Sequence, residues 1–279
     1  MDPIEIKKMV KQGYSEVART GSSCCSTKSP CCSLSGVAEE ISKNIGYSEK
    51  ELDEIPEGAN LGLGCGNPTA LASLKLGETV LDLGSGAGFD CFLAASRVGK
   101  EGKVIGVDMT PEMIKKAREN ASNGGYTNVE FKLGDIEEIP IADASIDVVI
   151  SNCVINLTPS KDNVFREIFR ILKNGGRFII SDMVLLKAIP AKIKTSAEAY
   201  IGCISGAILK DDYLDTIKNS GFEDIEIMEE TNYPFELIVE MVSPDEMTAI
   251  LKDMELSMEE AREMVESVIS IEVRGIKPF

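Results

Sequence analysis

A doubly wound α/β sheet is what the sequence predicts, and three observations predict it. From Thr79 onward, five short apolar runs (TVLDLG, KVIGVD, VEFKLG, IDVVISN and GRFIISDMV) alternate with helix-length amphipathic connections such as PEMIKKARENASN and KDNVFREIFRILKN. That alternation builds a parallel sheet covered by helices on both faces. The first run leads directly into a glycine-rich turn, LDLGSGAGFD, where such folds pass from strand to helix beside a ligand. The length of 279 residues, 43% of them apolar, supplies enough interior for a core with appendages.

In chain order, residues 1–60 form a polar, cysteine-bearing cap or arm. It holds a helix-like start from Ile4 to Val17, the stretch TGSSCCSTKSPCCS, and helix-prone segments at Val37 to Asn44 and Ser48 to Glu54. Residues 61–188 are the α/β core. Residues 189–279 make a helical insertion (IPAKIKTSAEAYIGCISGAILK) and a C-terminal extension, in which GFEDIEIMEE resumes the strand pattern. Acidic helices then precede a last strand at VISIEVRGIKPF, which is expected to return and complete the sheet.

The chain contains no histidine, so a Ser/His/Asp triad, a Cys/His pair and a His-ligated metal are excluded; thiols, carboxylates, amines or a borrowed cofactor must carry the chemistry. A net charge of −17, from 46 acidic and 29 basic side chains, opposes binding to nucleic acid or an anionic membrane surface. No stretch reaches the roughly 20 apolar residues of a membrane span and the N-terminus lacks a secretory core, so the expected location is cytoplasmic. In that reducing compartment eight cysteines point to metal binding or thiol chemistry rather than a disulfide framework.

In the glycine turn, Gly84, Gly86 and Gly88 let backbone approach a ligand closely, with Ser85 between them. The dinucleotide fingerprint needs its third glycine where Phe89 stands, which disfavours a pyrophosphate cofactor. Asp82 precedes the turn. Asp108, with Met109, ends the second strand, where a carboxylate accepts from both ribose hydroxyls. Asp135, with Ile136, follows the third, where it could accept from an adenine amino group. Carboxylates around a site suit a sulfur cation without phosphate, which describes S-adenosylmethionine. Asn152, at the end of the fourth run, could hydrogen-bond the cofactor or the backbone, or merely end a strand.

Cys153 falls just past that fourth strand, Cys203 lies within AYIGCISGA, and Cys65 sits in GLGCGNP on a glycine-rich loop expected to move. Taken singly, each could be a small packed hydrophobe, as Cys91 in DCFLAA is expected to be. Together, GANLGLGCGNP, VLDLGSGAGFDCFLAA, GVDMTPEMIKKAREN, SNCVINL and AYIGCISGA resemble the arsenite S-adenosylmethionine methyltransferases over most of the chain from about residue 20. The resemblance implies a class I methyltransferase fold and methyl transfer to trivalent arsenic. It also implies that Cys65, Cys153 and Cys203 hold the metalloid as thiolates. Soft arsenic prefers sulfur, and free arsenite is neutral, so an acidic protein does not repel it. Leu63 stands where some members of the family carry an aromatic.

Cys24, Cys25, Cys31 and Cys32 are adjacent pairs without zinc-site spacing. The resemblance implicates a thiol of this region in redox exchange with the loop cysteine. Cys32 is the candidate, with an external reductant such as a thioredoxin system or glutathione resetting the enzyme. Two other readings stay open from the sequence: a methyltransferase for a small organic molecule such as a quinone precursor, and a metalloid-sequestering protein without turnover.

Overall fold

The computed structural model describes residues 2–20, 34–189, 203–232 and 256–279, together with residues 235, 243, 247, 248, 251 and 252. Its strands are β1 (Thr79–Leu83), β2 (Lys103–Asp108), β3 (Val129–Leu133), β4 (Ile146–Asn152), β5 (Leu172–Leu185), β6 (Glu223–Asn232) and β7 (Val268–Ile276). They form one seven-stranded sheet in the order β3-β2-β1-β4-β5-β7-β6. The first five are parallel, and β7 runs antiparallel to both β5 and β6. The chain moves outward from β1 to β3 and then returns to the other side of β1 as β4. That reversal leaves a crevice at the carboxyl ends of β1 and β4, the place where open α/β sheets bind ligands.

Among the described residues, nine labelled helices pack around the sheet. They are α1 (Pro3–Thr20), α2 (Leu34–Asn44), α3 (Glu49–Asp53), α4 (Pro68–Leu71), α5 (Phe89–Val98), α6 (Pro111–Asn123), α7 (Lys161–Ile171), α8 (Lys210–Asn219) and α9 (Met258–Glu266). Strand alternation divides the interior in two. Leu81, Leu83 and Val149 join Phe165, Phe178 and Tyr213 on one face. Val80, Val148 and Ile150 join Phe92, Ala94 and Ala95 on the other. Two-faced burial is what a doubly wound sheet demands of its central strands.

The strand and helix expectations from Thr79 to Asn174 correspond to elements within a few residues, and the tail does return to the sheet, between β5 and β6. Past the Cys65 loop, Pro68 opens α4, because Asn67 caps it by accepting from the Ala70 amide at 3.0 Å. One expectation about the elements needs correction. The described part of the helical insertion, residues 203–209, is turn and not helix. Cys203 has φ +64°, and a Cβ on Gly206 would lie 1.8 Å from the Asn156 carbonyl oxygen, so this turn lies flat against the segment after β4 where no helix fits. Residues 190–202 of that insertion lie outside the described residues.

Candidate active site

A cavity of about 360 Å³ opens at the crevice. Its lining includes Asp82, Gly84, Ser85, Gly86, Asp108, Met109, Asp135, Ile136 and Asn152, together with Cys65, Cys153 and Cys203. Of the residues expected on the sequence, Gly88 is not among the lining. It starts α5, and a Cβ there would meet Phe131 and Phe92 at 2.8 Å. Cys32 lies outside the described residues.

The glycine turn is built for close approach. Gly86 has φ +51° and open space where a Cβ would be, and its amide donates to Asp108 Oδ2 at 3.0 Å. The other oxygen of Asp108 accepts from the Thr110 amide at 2.8 Å, so the carboxylate is fixed from two sides while each oxygen keeps a lone pair. Burial raises its pKa, against the pull of those two amides. Asp82 lies on the α5 face of β1, where Cys91 Sγ donates to it at 3.2 Å. Cys91 is therefore a hydrogen-bond partner as well as a core residue.

Asp90 was not singled out from the sequence, although its place in the first turn of the helix after the glycine loop was the available signal. It lines the cavity and accepts from Tyr47 Oη at 2.7 Å. Burial raises it to about 6. Burial also pushes Asp82 well up, with the Asp90 charge adding to the effect. Asp135 stands half-exposed against Lys7 of α1, with Nζ to Oδ2 at 2.6 Å, and Lys7 also pairs with Glu137. Lys7 is the only cation among the described lining residues. A cavity with four carboxylates and one lysine favours a cationic ligand and opposes a pyrophosphate. Ser85 Oγ is buried without a partner. That orphaned hydroxyl, the open space at Gly86 and the carboxylates together fit S-adenosylmethionine.

The three cysteines meet at one end of the cavity. The Cys153 thiol lies against the thiols of both Cys203 and Cys65, and their interaction, with burial, raises its pKa well above the ordinary thiol value. Cys203 Sγ is also 3.0 Å from the Cys153 carbonyl oxygen. Burial raises Cys65, and none of the four described cysteines is in a disulfide. Among the described residues no three His, Cys, Asp or Glu side chains form a preset metal-ion cage. Cys153, like Cys203, has a left-handed backbone, φ +59°, a conformation that costs a side-chain-bearing residue about 1 kcal/mol or more and clusters at functional sites.

The segments that carry Cys65 and Cys203 are held from behind. Asn152 Oδ1 accepts the Cys65 amide at 2.9 Å and Nδ2 donates to the Gly66 carbonyl at 2.8 Å. From β7, Ser270 Oγ donates to the Cys65 carbonyl at 2.7 Å and Glu272 Oε1 accepts the Asn67 amide at 2.7 Å. The loop expected to move is thus tied down on both sides, and Asn152 serves backbone. Cys203 follows the other side of the crevice, where buried Lys161 donates to the Gly206 carbonyl at 2.7 Å. Buried Asp182 accepts from Asn156 Nδ2 at 2.8 Å and from Tyr213 Oη at 3.1 Å. Helix α1 closes the front: Ile6 and Val10 pack with Leu157 and Cys203. Lys7 and Tyr47 gave no signal in the sequence, since both sit in polar segments whose tertiary partners are distant.

Comparison with known proteins places this geometry. Residues 74–221 match the model of a methyltransferase domain family. The chain is 43% identical over 284 aligned residues to the arsenite methyltransferase of Halobacterium salinarum, covering 99% of this chain and 68% of that protein. It is 32% identical to the arsenite methyltransferase of Mus musculus, over 79% of this chain and 59% of the relative. The crystal structure of an arsenic(III) S-adenosylmethionine methyltransferase from Chlamydomonas reinhardtii superposes with a TM-score of 0.63 at 28% identity, covering 90% of this chain and 75% of that one.

Proposed function

The chain belongs to the S-adenosylmethionine-dependent arsenite methyltransferases, and from that membership we propose that Cys65, Cys153 and Cys203 hold trivalent arsenic as the acceptor of the methyl group. The reading rests on one observation above all: the Cys153 thiol touches both of the other two at the wall of the cavity that carries the glycine turn. Arsenite exchanges its three hydroxyls for three thiols and releases three waters. The reactants and products of that net exchange are neutral, so no unpaired charge is left buried. Three sulfurs on one side of the arsenic leave its lone pair on the other. Placing that pair against the donor is positioning, which supplies catalysis without a proton-transferring residue.

S-adenosylmethionine, when bound, supplies an electrophilic methyl group on a sulfonium. Asp108 and the Gly86 backbone would hold its ribose side, and Asp82 and Asp90 would face its cationic groups. Asp135 would serve the base only after releasing Lys7. The arsenic pair becomes an arsenic–carbon bond, so the metalloid is formally oxidised from trivalent to pentavalent and needs two electrons back. Two thiols supply them and become a disulfide; we assign that step to Cys32 together with Cys65, with an external thiol reductant of the cytoplasm returning the pair to thiols. Among the described residues no helix is long and apolar enough to cross a membrane.

Mass analysis of products formed from arsenite, S-adenosylmethionine and a dithiol is the test. The expected result is methylated arsenic together with S-adenosylhomocysteine, the latter formed only when arsenite is present. Turnover that ignores arsenite would return the three cysteines to packing roles.

A further inference from the structure

Tyr47 lies between α2 and α3, outside the cavity, yet its hydroxyl joins the two halves of the site. It donates to Asp90 at 2.7 Å and accepts from Asn152 Nδ2 at 3.0 Å. The direct Asn152 to Asp90 approach is longer, 3.4 Å. Asn152 then has both ends of its amide committed: its nitrogen to Tyr47 and the Gly66 carbonyl, its oxygen to the Cys65 amide. Rotating that amide would break the tie at Cys65. It has little freedom to move sideways, because Gly64 lies so close that a Cβ there would sit 2.9 Å from Nδ2. Tyr47 is itself held, buried and edge-on to Phe89 with ring centroids 4.6 Å apart.

These bonds run in series from a carboxylate that faces the cofactor space to the backbone of one thiol. Each hydrogen bond in a buried chain polarises the next, so the charge on Asp90 is felt at Cys65. A cationic ligand beside Asp90 stabilises its ionised form, which strengthens the Tyr47 bond and holds Asn152 in the orientation that places Cys65. We infer that Tyr47 is a positioning residue through which cofactor binding and three-thiol capture of arsenite favour one another. The inference rests on the proposed arsenic site. Linkage makes the effect reciprocal. Trivalent methylarsenic has only two exchangeable positions, which Cys153 and Cys203 can fill, so it escapes the coupling.

The experiment is calorimetric titration with arsenite, and separately with trivalent methylarsenic, in the presence and absence of S-adenosylhomocysteine. The full chain is used, in wild-type, Tyr47→Phe and Asn152→Ser forms. In the wild type, S-adenosylhomocysteine is expected to tighten arsenite binding at least about fivefold, a usual size for coupling between sites. Either substitution should reduce that gain below about twofold. Tyr47→Phe should leave the affinity for S-adenosylhomocysteine alone, and for methylarsenic, within a factor of about two; a merely structural role would disturb both. Coupling retained in either variant, or equal coupling for the two arsenic species, overturns the inference while leaving the arsenic site standing. Failure of the wild type to bind arsenite at all overturns both.

Discussion

At the scale of single residues, the site divides into groups that hold a ligand and groups that hold those groups. Asp108 is of the first kind: its oxygens are fixed by two amides and still have lone pairs to offer. Asp108→Ala is expected to weaken S-adenosylmethionine binding by about 1.5–3 kcal/mol, the range for a charged acceptor, and calorimetry showing unchanged affinity would remove it from the cofactor site. Asp135→Ala should cost less than about 1 kcal/mol, because a half-exposed carboxylate already shared with Lys7 contributes little. Cys153→Ser and Cys203→Ser should each abolish methylation of every trivalent arsenic species and leave cofactor affinity unchanged, since a hydroxyl is not a soft ligand. Substantial turnover in either variant would make that thiol a packing residue. Asp108, Asp135 and Cys153 were legible in the sequence as candidates because each ends or follows a strand, whereas Asp90 was not singled out. Their supports, Tyr47, Lys7, Lys161 and Asp182, were not, because nothing local marks a tyrosine that must reach an aspartate 43 positions away.

At the scale of elements, local pattern sufficed where an element is made by its own residues and failed where a neighbour makes it. The helix Pro111–Asn123 is bounded by a proline at its first turn and a glycine after its end, and its limits could be read directly. The turn at residues 203–209 could not, since AYIGCISGA has helical composition but Gly206 is pressed against Asn156. That contact is testable. Gly206→Ala would push a Cβ into the Asn156 carbonyl and displace the turn carrying Cys203, so arsenite affinity should fall at least about tenfold, the equivalent of 1.4 kcal/mol, while cofactor affinity holds. Equal affinity would show that the turn can shift without carrying the thiol along.

At the scale of the whole molecule, acidity is stored inside as well as on the surface. Asp182 has no exposed surface and packs among Lys161, Tyr213, Asn156 and Met183; burial raises its carboxyl to about 6 although the Lys161 charge opposes the rise. The folded state therefore binds this proton more tightly than the unfolded chain, whose aspartates titrate near about 3.9. The contribution is complete below about pH 4 and is lost as pH rises through about 6, amounting to roughly 3 kcal/mol for a two-unit shift. Denaturant titrations of wild type and Asp182→Asn should show the wild type losing that much relative to the variant between pH 4 and 7; a flat difference would contradict the burial argument. Strand β7 has a consequence of another sort. It lies between β5 and β6 and supplies Ser270 and Glu272 to the Cys65 loop, yet it follows both neighbours in the order of synthesis. While a ribosome is still making it, β5 has a bare edge and β6 has nothing to pair with, so the nascent protein can collapse around β1 to β4 but cannot seat its first thiol. Toxic metalloid meeting such a half-made chain would find sulfur without a pocket, and the time spent waiting for nine residues is a window in which a chaperone has something to protect.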